Sequence, residues 1–238
     1  MDINEIRGIL NELSDEKYKK NVIRLGIPKD KALGVRTGDI RKLARKIRTD
    51  HKLAWELWQS GVHEEKILAV LLFDKKDITY QEIESLMHDV NSWDLCDHIC
   101  KNLIIKTSFA ADIIKSWSKQ SSLYFRRAAF VLMTAEIVKK REKIEPEQVE
   151  LYIEKIKECA NDTRPHVRKA ISWALREIGK INYDYQEKAI LVAYELIEEG
   201  KASAWVGKNA LKELETLVKV DERGRLLSSD SKMGRKYK

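Results

Sequence analysis

Cysteine and proline are both scarce in this chain of 238 residues, at three each, and glycine reaches only ten. Three cysteines, Cys96, Cys100 and Cys159, are an odd and small number for such a length. That argues against a disulfide framework and for a reducing compartment. So few Pro and Gly leave too little turn chemistry for a β-sandwich, though enough for helix ends. Long apolar runs are missing as well. The longest, Ile67 to Phe73, falls far short of the ~20 residues that span a bilayer, so no membrane partner is expected. The opening Met1-Asp2-Ile3-Asn4-Glu5 carries no basic and then apolar signal segment, and the expected location is cytoplasmic. Nor is there a convincing run of alternating apolar and polar residues, the mark of a half-buried strand.

What the chain does have is helical periodicity almost throughout. Val149, Tyr152, Ile153 and Ile156 form one stripe, while Glu150, Glu154, Lys155 and Lys157 lie elsewhere. Apolar residues make up 43%, enough for a core, and charged residues 35%. The charged share exceeds the roughly 25% of an ordinary domain and suits a row of amphipathic helices. Thr79 followed by Glu82 reads as a capping box, and Pro146 and Pro165 each stand where a helix would begin. Roughly twelve helices are expected from this pattern.

The sequence also repeats itself weakly. Arg127-Ala128-Ala129-Phe130-Val131-Leu132 resembles Lys169-Ala170-Ile171-Ser172-Trp173-Ala174-Leu175, and Lys208-Asn209-Ala210-Leu211 falls at the next step. Lys66-Ile67-Leu68-Ala69-Val70-Leu71 is a fainter earlier copy. Ala128 to Ala170 is 42 residues and Ala170 to Ala210 is 40, a period characteristic of two-helix HEAT or armadillo repeats. The expected fold class is therefore all-α, an α-solenoid of about six HEAT-like helix pairs with no sheet. Residues 1–223 are read as one repeat domain. Residues 224–238, rich in Ser, Gly and Lys/Arg, are read as a basic, flexible tail. The formal net charge of +7 points to a polyanionic partner without identifying one.

Three segments place large aromatic or charged residues beside what should be buried helix faces. They are Asn91-Ser92-Trp93-Asp94-Leu95-Cys96-Asp97, Tyr124-Phe125-Arg126-Arg127-Ala128-Ala129, and Arg168 through Glu177. Trp93 and Asp97, four apart, share a face, whereas Asp94 points elsewhere; Trp173 and Glu177 repeat the aromatic–carboxylate spacing. Each segment also has a plain structural reading: Trp93 and Trp173 as core residues, Asp97 as a surface acid or the partner of Arg127, Arg126 and Arg127 as a solvated pair. The Cys96, His98 and Cys100 cluster lacks the spacing of a zinc motif and has no second ligand pair, so it is read as buried thiols on a helix and no metal is expected.

Taken together, these segments resemble the AlkD-like DNA alkylation repair family. Its Ser-Trp-Asp-x-x-Asp stretch stands at 92–97, its Arg-Ala-Ala helix at 127–129, and its Lys-Ala-Ile-x-Trp-x-Leu-Arg-Glu helix at 169–177. Leu33-Gly34-Val35-Arg36-Thr37-Gly38-Asp39-Ile40-Arg41 is similar to the family's N-terminal segment, and the likeness runs over roughly residues 20 to 215. The link between Arg127 and Trp173, around Lys139 to Glu147, is slightly longer than the family's. The resemblance implies a DNA glycosylase of base excision repair that removes cationic N3- or N7-alkylated purines from duplex DNA. It implies a monomer without cofactor, associated with the nucleoid. It assigns the active cleft to Asp97, Trp93, Trp173 and Arg127. Arg126, Arg168, Lys169, Arg176 and Lys208 flank the repeat helices and are candidate phosphate contacts. The other reading is a HEAT-like module that binds DNA or protein without catalysis.

Overall fold

The helix ends follow local signals. Asp2 accepts from the amides of Asn4 and Glu5 while Glu5 accepts from the Asp2 amide, a full capping box at the head of α1, Ile3–Glu12. Thr79 and Glu82 form the expected second box at the head of α6, Tyr80–His88. Pro146 and Pro165 open α10, Pro146–Cys159, and α11, Pro165–Gly179, at the position where a missing N–H costs nothing. The remaining helices are α2 Glu16–Arg24, α3 Thr37–Ile47, α4 His51–Gln59, α5 His63–Leu72, α7 Trp93–Asn102, α8 Ala110–Trp117, α9 Leu123–Lys140, α12 Tyr183–Glu198 and α13 Ser203–Leu214. These thirteen helices lie in a computed structural model that describes residues 1–140 and 143–237. Part of the link between Arg127 and Trp173, at 141 and 142, lies outside the described residues.

The chain is all-α and divides into two compact units, Met1–Ala110 and Ala111–Lys238. In the first, the apolar run from Ile67 to Phe73 forms the second half of α5 and its C-cap and is buried except for Leu71. Phe73 meets Trp55 of α4 edge-on at 5.1 Å, a favourable aromatic geometry. The Leu33-Gly34-Val35 stretch serves the packing of this unit, because its three amides donate to the buried Glu64 carboxylate at 2.9, 2.7 and 3.3 Å. Gly34 has φ +87°, and a Cβ there would lie 2.6 Å from Lys19 Cβ, so only glycine fits.

In the second unit α9 packs on α11, and α12 and α13 form the next pair. The repeat alanines Ala128, Ala170 and Ala210 are all buried, as expected of small residues that let helices approach. Gly207 carries this further, since a Cβ there would meet the Ala193 carbonyl oxygen at 2.3 Å. Fully buried Trp117, Phe130 and Tyr152 fill the core.

The structure corrects two expectations. A short sheet exists: β1, Leu217–Val218, pairs antiparallel with β2, Leu227–Ser228. The residues from 224 to 237 are packed rather than loose, and the chain does not divide at 223. Leu226 is 1% exposed, Ser229 and Gly234 are buried, and the Leu226 amide donates to the Lys180 carbonyl at 2.9 Å. The polar composition of this stretch concealed an apolar anchor, Leu226, which joins buried Leu217 and Val220 just before it. Among the described residues, no helix is long and apolar enough to cross a membrane.

Candidate functional site

Ser92 caps α7 by accepting from the Leu95 amide at 3.3 Å, which starts the helix at Trp93 and sets which face each later residue takes. Trp93 is half-buried; Asp97, one turn on, is buried and pairs with Lys101 Nζ at 3.4 Å. Cys96 and Cys100 are buried on this helix, as read from the sequence. Among the described residues no group of three His, Cys, Asp or Glu side chains is placed to hold a metal.

Asp94 does more than the sequence indicated. His63 Nε2 of α5 lies 3.1 Å from Asp94 Oδ2, and His98 Nε2 lies 3.9 Å from Oδ1. The pair across α5 and α7 fixes the first turn of the helix that carries Trp93 and Asp97. Two histidines, His63 and His98, therefore stand at the head of this helix. The spacing of Asp94 and His98 was visible as i,i+4; the approach of His63, 31 residues earlier, was not.

This cluster makes stability acid-sensitive. Burial pushes the His98 imidazole below 6.5, against the pull of Asp94, and the charges of Arg41, His63 and Lys101 add to the depression. Burial works to raise the Asp94 carboxyl, but the His63 hydrogen bond and the charges of His98, His63 and Lys101 outweigh it and hold it below 3.8. A histidine depressed in the fold binds its proton more readily unfolded, so its contribution is full above 6.5 and falls as the pH drops from there. A depressed carboxylate contributes above 3.8 and is lost as the pH falls through its lower folded value. The unfolding midpoint should therefore decline on acidification in two windows. His98→Gln should flatten the upper one; a slope identical to wild type between about pH 6.5 and 5 would count against His98 as its source.

In the second unit Arg127 is buried on α9 and donates from Nη1 to the His166 carbonyl at 2.7 Å. Half-buried Trp173 on α11 donates from Nε1 to Glu177 Oε1 at 3.3 Å, so the predicted aromatic–carboxylate pair forms. Glu177 is 5% exposed and also accepts from Lys180 at 2.9 Å and from Arg225 at 2.7 Å.

The candidate phosphate contacts divide into two groups. Arg126 pairs with Asp162 at 2.9 Å, which Arg164 also grips. Burial works to raise that carboxyl, but the bonds from Arg164 and Arg126 hold it down. Arg168 lies over the Trp205 ring at 4.3 Å, and Arg176 meets Glu213 at 2.8 Å. These three arginines are engaged within the protein. Lys169 and Lys208 are exposed.

The contacts between α11 and α13 form a ladder: Arg168 to Trp205, Ser172 to Asn209 at 2.9 Å, and Arg176 to Glu213. Both hydrogen-bonded rungs join residues 37 apart. The alanine spacing of about 40 marks equivalent helices, while the side chains touch about one turn earlier. Trp205 and Glu213 had no sequence signal of their own, but they could have been found by stepping along this offset; Asp162 lies one residue short of it from Arg126.

Comparison with known proteins bears on the fold and the family. No curated protein matches the sequence. One solved structure superimposes with a TM-score of 0.75 at 18% identity, over 100% of this chain and 94% of that one; it is described as a new family of proteins related to the HEAT-like repeat DNA glycosylases with affinity for branched DNA structures. At that identity the likeness establishes a shared HEAT-like fold. A family model described as DNA alkylation repair enzyme matches residues 6–214, nearly all of the first unit and most of the second, and the chain belongs to that family.

Proposed function

We propose that this protein is a monofunctional DNA glycosylase that excises purines alkylated at N3 or N7 from duplex DNA, acting as a monomer without cofactor. The observation that carries the reading is Asp97, a buried carboxylate one helical turn from half-buried Trp93 on a helix fixed at its first turn, in a chain of this family. An alkylated purine is already cationic and leaves without an acid. As its bond to the sugar C1′ breaks, positive charge builds on the sugar, as in other glycoside cleavages. The Asp97 carboxylate stabilises that charge and orients a water. The water oxygen bonds to C1′, the purine departs neutral with the electron pair of the broken bond, and the proton passes to Asp97 or solvent. Trp93, on the same helix, offers its face to sugar C–H groups and to the cation; the family resemblance further assigns Trp173 and Arg127 to the reaction. Lys169 and Lys208, the exposed cations of the candidate set, meet phosphates further out. The family resemblance implies excision without full extrusion of the base, unlike the usual flipping route.

A second reading is favoured by the solved neighbour's affinity for branched DNA structures: this chain binds DNA without excising bases. Release of free purine from a defined alkylated duplex separates the two. The tryptophans provide a finer test. If Trp93 and Trp173 each contact the substrate, Trp93→Ala and Trp173→Ala slow excision more than they lower the unfolding midpoint. If they serve only as core residues, each instead costs roughly 3–5 kcal/mol of stability and activity falls only with folding.

A further inference from the structure

The packed C-terminal segment reaches the network that holds Trp173. Arg225 stands in the turn before β2, and its Nη1 donates to Glu177 Oε2 at 2.7 Å. The other oxygen of the same carboxylate accepts from Trp173 Nε1 at 3.3 Å and Lys180 Nζ at 2.9 Å. Glu177 thus has both oxygens occupied, one by the indole and Lys180 and the other by the C-terminal segment. Lys180 is fixed in turn by Glu213 at 2.8 Å, and its carbonyl accepts the Leu226 amide. Buried Leu226 anchors the segment one residue beyond Arg225.

We infer that the segment from Leu217 to Ser228 is a positioning strap and that Arg225, acting through Glu177, sets the orientation of the Trp173 indole. Two arguments support this. A carboxylate buried to 5% exposure holds its geometry only while its donors are in place, since an unpaired buried charge rearranges or draws in water. An indole N–H has a single bond to give, so the carboxylate oxygen that receives it directs the ring. Arg225 is assigned no contact with substrate and is a positioning residue. The excision arm of the test below rests on the glycosylase reading; the spectroscopic arm does not.

The test compares wild type with R225A and R225K in the full chain, by two readouts. The first is the indole N–H resonance of Trp173 in a nitrogen-15 spectrum, assigned by its loss in W173F. The second is single-turnover excision from an alkylated duplex, with duplex binding measured in parallel. R225A is expected to shift the Trp173 resonance and speed its hydrogen exchange. Excision should slow by about 10–100-fold, the scale of a small misplacement, while binding changes little. R225K restores both readouts in large part. An unmoved Trp173 resonance in folded R225A overturns the strap. A shifted resonance with unchanged excision confines the strap to structure and overturns its positioning role. Should R225A fail to fold, R225Q, which fills the space without the charge, gives the same comparison. If wild type excises nothing, the glycosylase reading has failed, and the resonance arm alone decides the strap.

Discussion

Asp97→Asn should slow single-turnover excision by about 100–1,000-fold, the usual consequence of removing one electrostatic stabiliser of a transition state. The substitution is nearly isosteric, and Asn can still accept from Lys101, whose Nζ lies 3.4 Å away. The helix and its cap are therefore retained, and what is lost is the negative charge needed opposite a cationic sugar. Duplex affinity should be unchanged or slightly improved, because a negative charge has left a surface that meets phosphates. Asp94→Asn is the informative control. It weakens the contacts with His63 and His98 at the head of α7, so its effect should appear in the unfolding midpoint and its acid dependence, with a much smaller effect on rate. Equal rate losses in the two variants would remove the distinction between charge stabilisation and helix placement.

Deleting residues 224–238 should destabilise the protein, contrary to what a loose basic tail would do. The deletion removes the Leu226 side chain, 1% exposed, and one of the donors to buried Glu177. It also leaves β1 without its partner strand. A buried leucine and a broken buried ion pair together cost about 3–5 kcal/mol after allowance for the Lys180 contact that remains. In a chain of this size that lowers the thermal midpoint by roughly 6–20 °C. Calorimetry of the truncated and full chains measures this directly. A truncated protein melting at the wild-type midpoint would show that the segment carries no stabilising contact.

Much of the fold was legible because it is periodic. Alanines recurring near every 40 residues marked helices that pack closely, and Thr79, Pro146 and Pro165 marked their starts. Trp93 and Asp97 were legible as a pair because a helix turns their separation of four into a shared face. Contacts between elements far apart in sequence were hidden. His63 and Arg225 reach Asp94 and Glu177 across 31 and 48 residues, and no local spacing encodes such an approach. The C-terminal segment was misjudged for a compositional reason. Ser, Gly and Lys dominate it, and in a hairpin this short a single leucine is enough to anchor the chain. The basic candidates were chosen because they flank the repeat helices. Arg126, Arg168 and Arg176 turned inward because Asp162, Trp205 and Glu213 lie within reach, and partners of that kind become visible only once the register of the helices is known.

The most direct measurement is release of free base from a duplex bearing a single N7-methylguanine, with protein in excess and the reaction followed by chromatography of the purine and by alkaline cleavage of the strand. A glycosylase acting through Asp97 yields free methylated purine and abasic sites in equal amounts. They form well above the spontaneous rate with wild type and close to it with Asp97→Asn, although both proteins bind the duplex. Wild-type protein that binds duplex or branched DNA yet releases purine only at the spontaneous rate would contradict this mechanism.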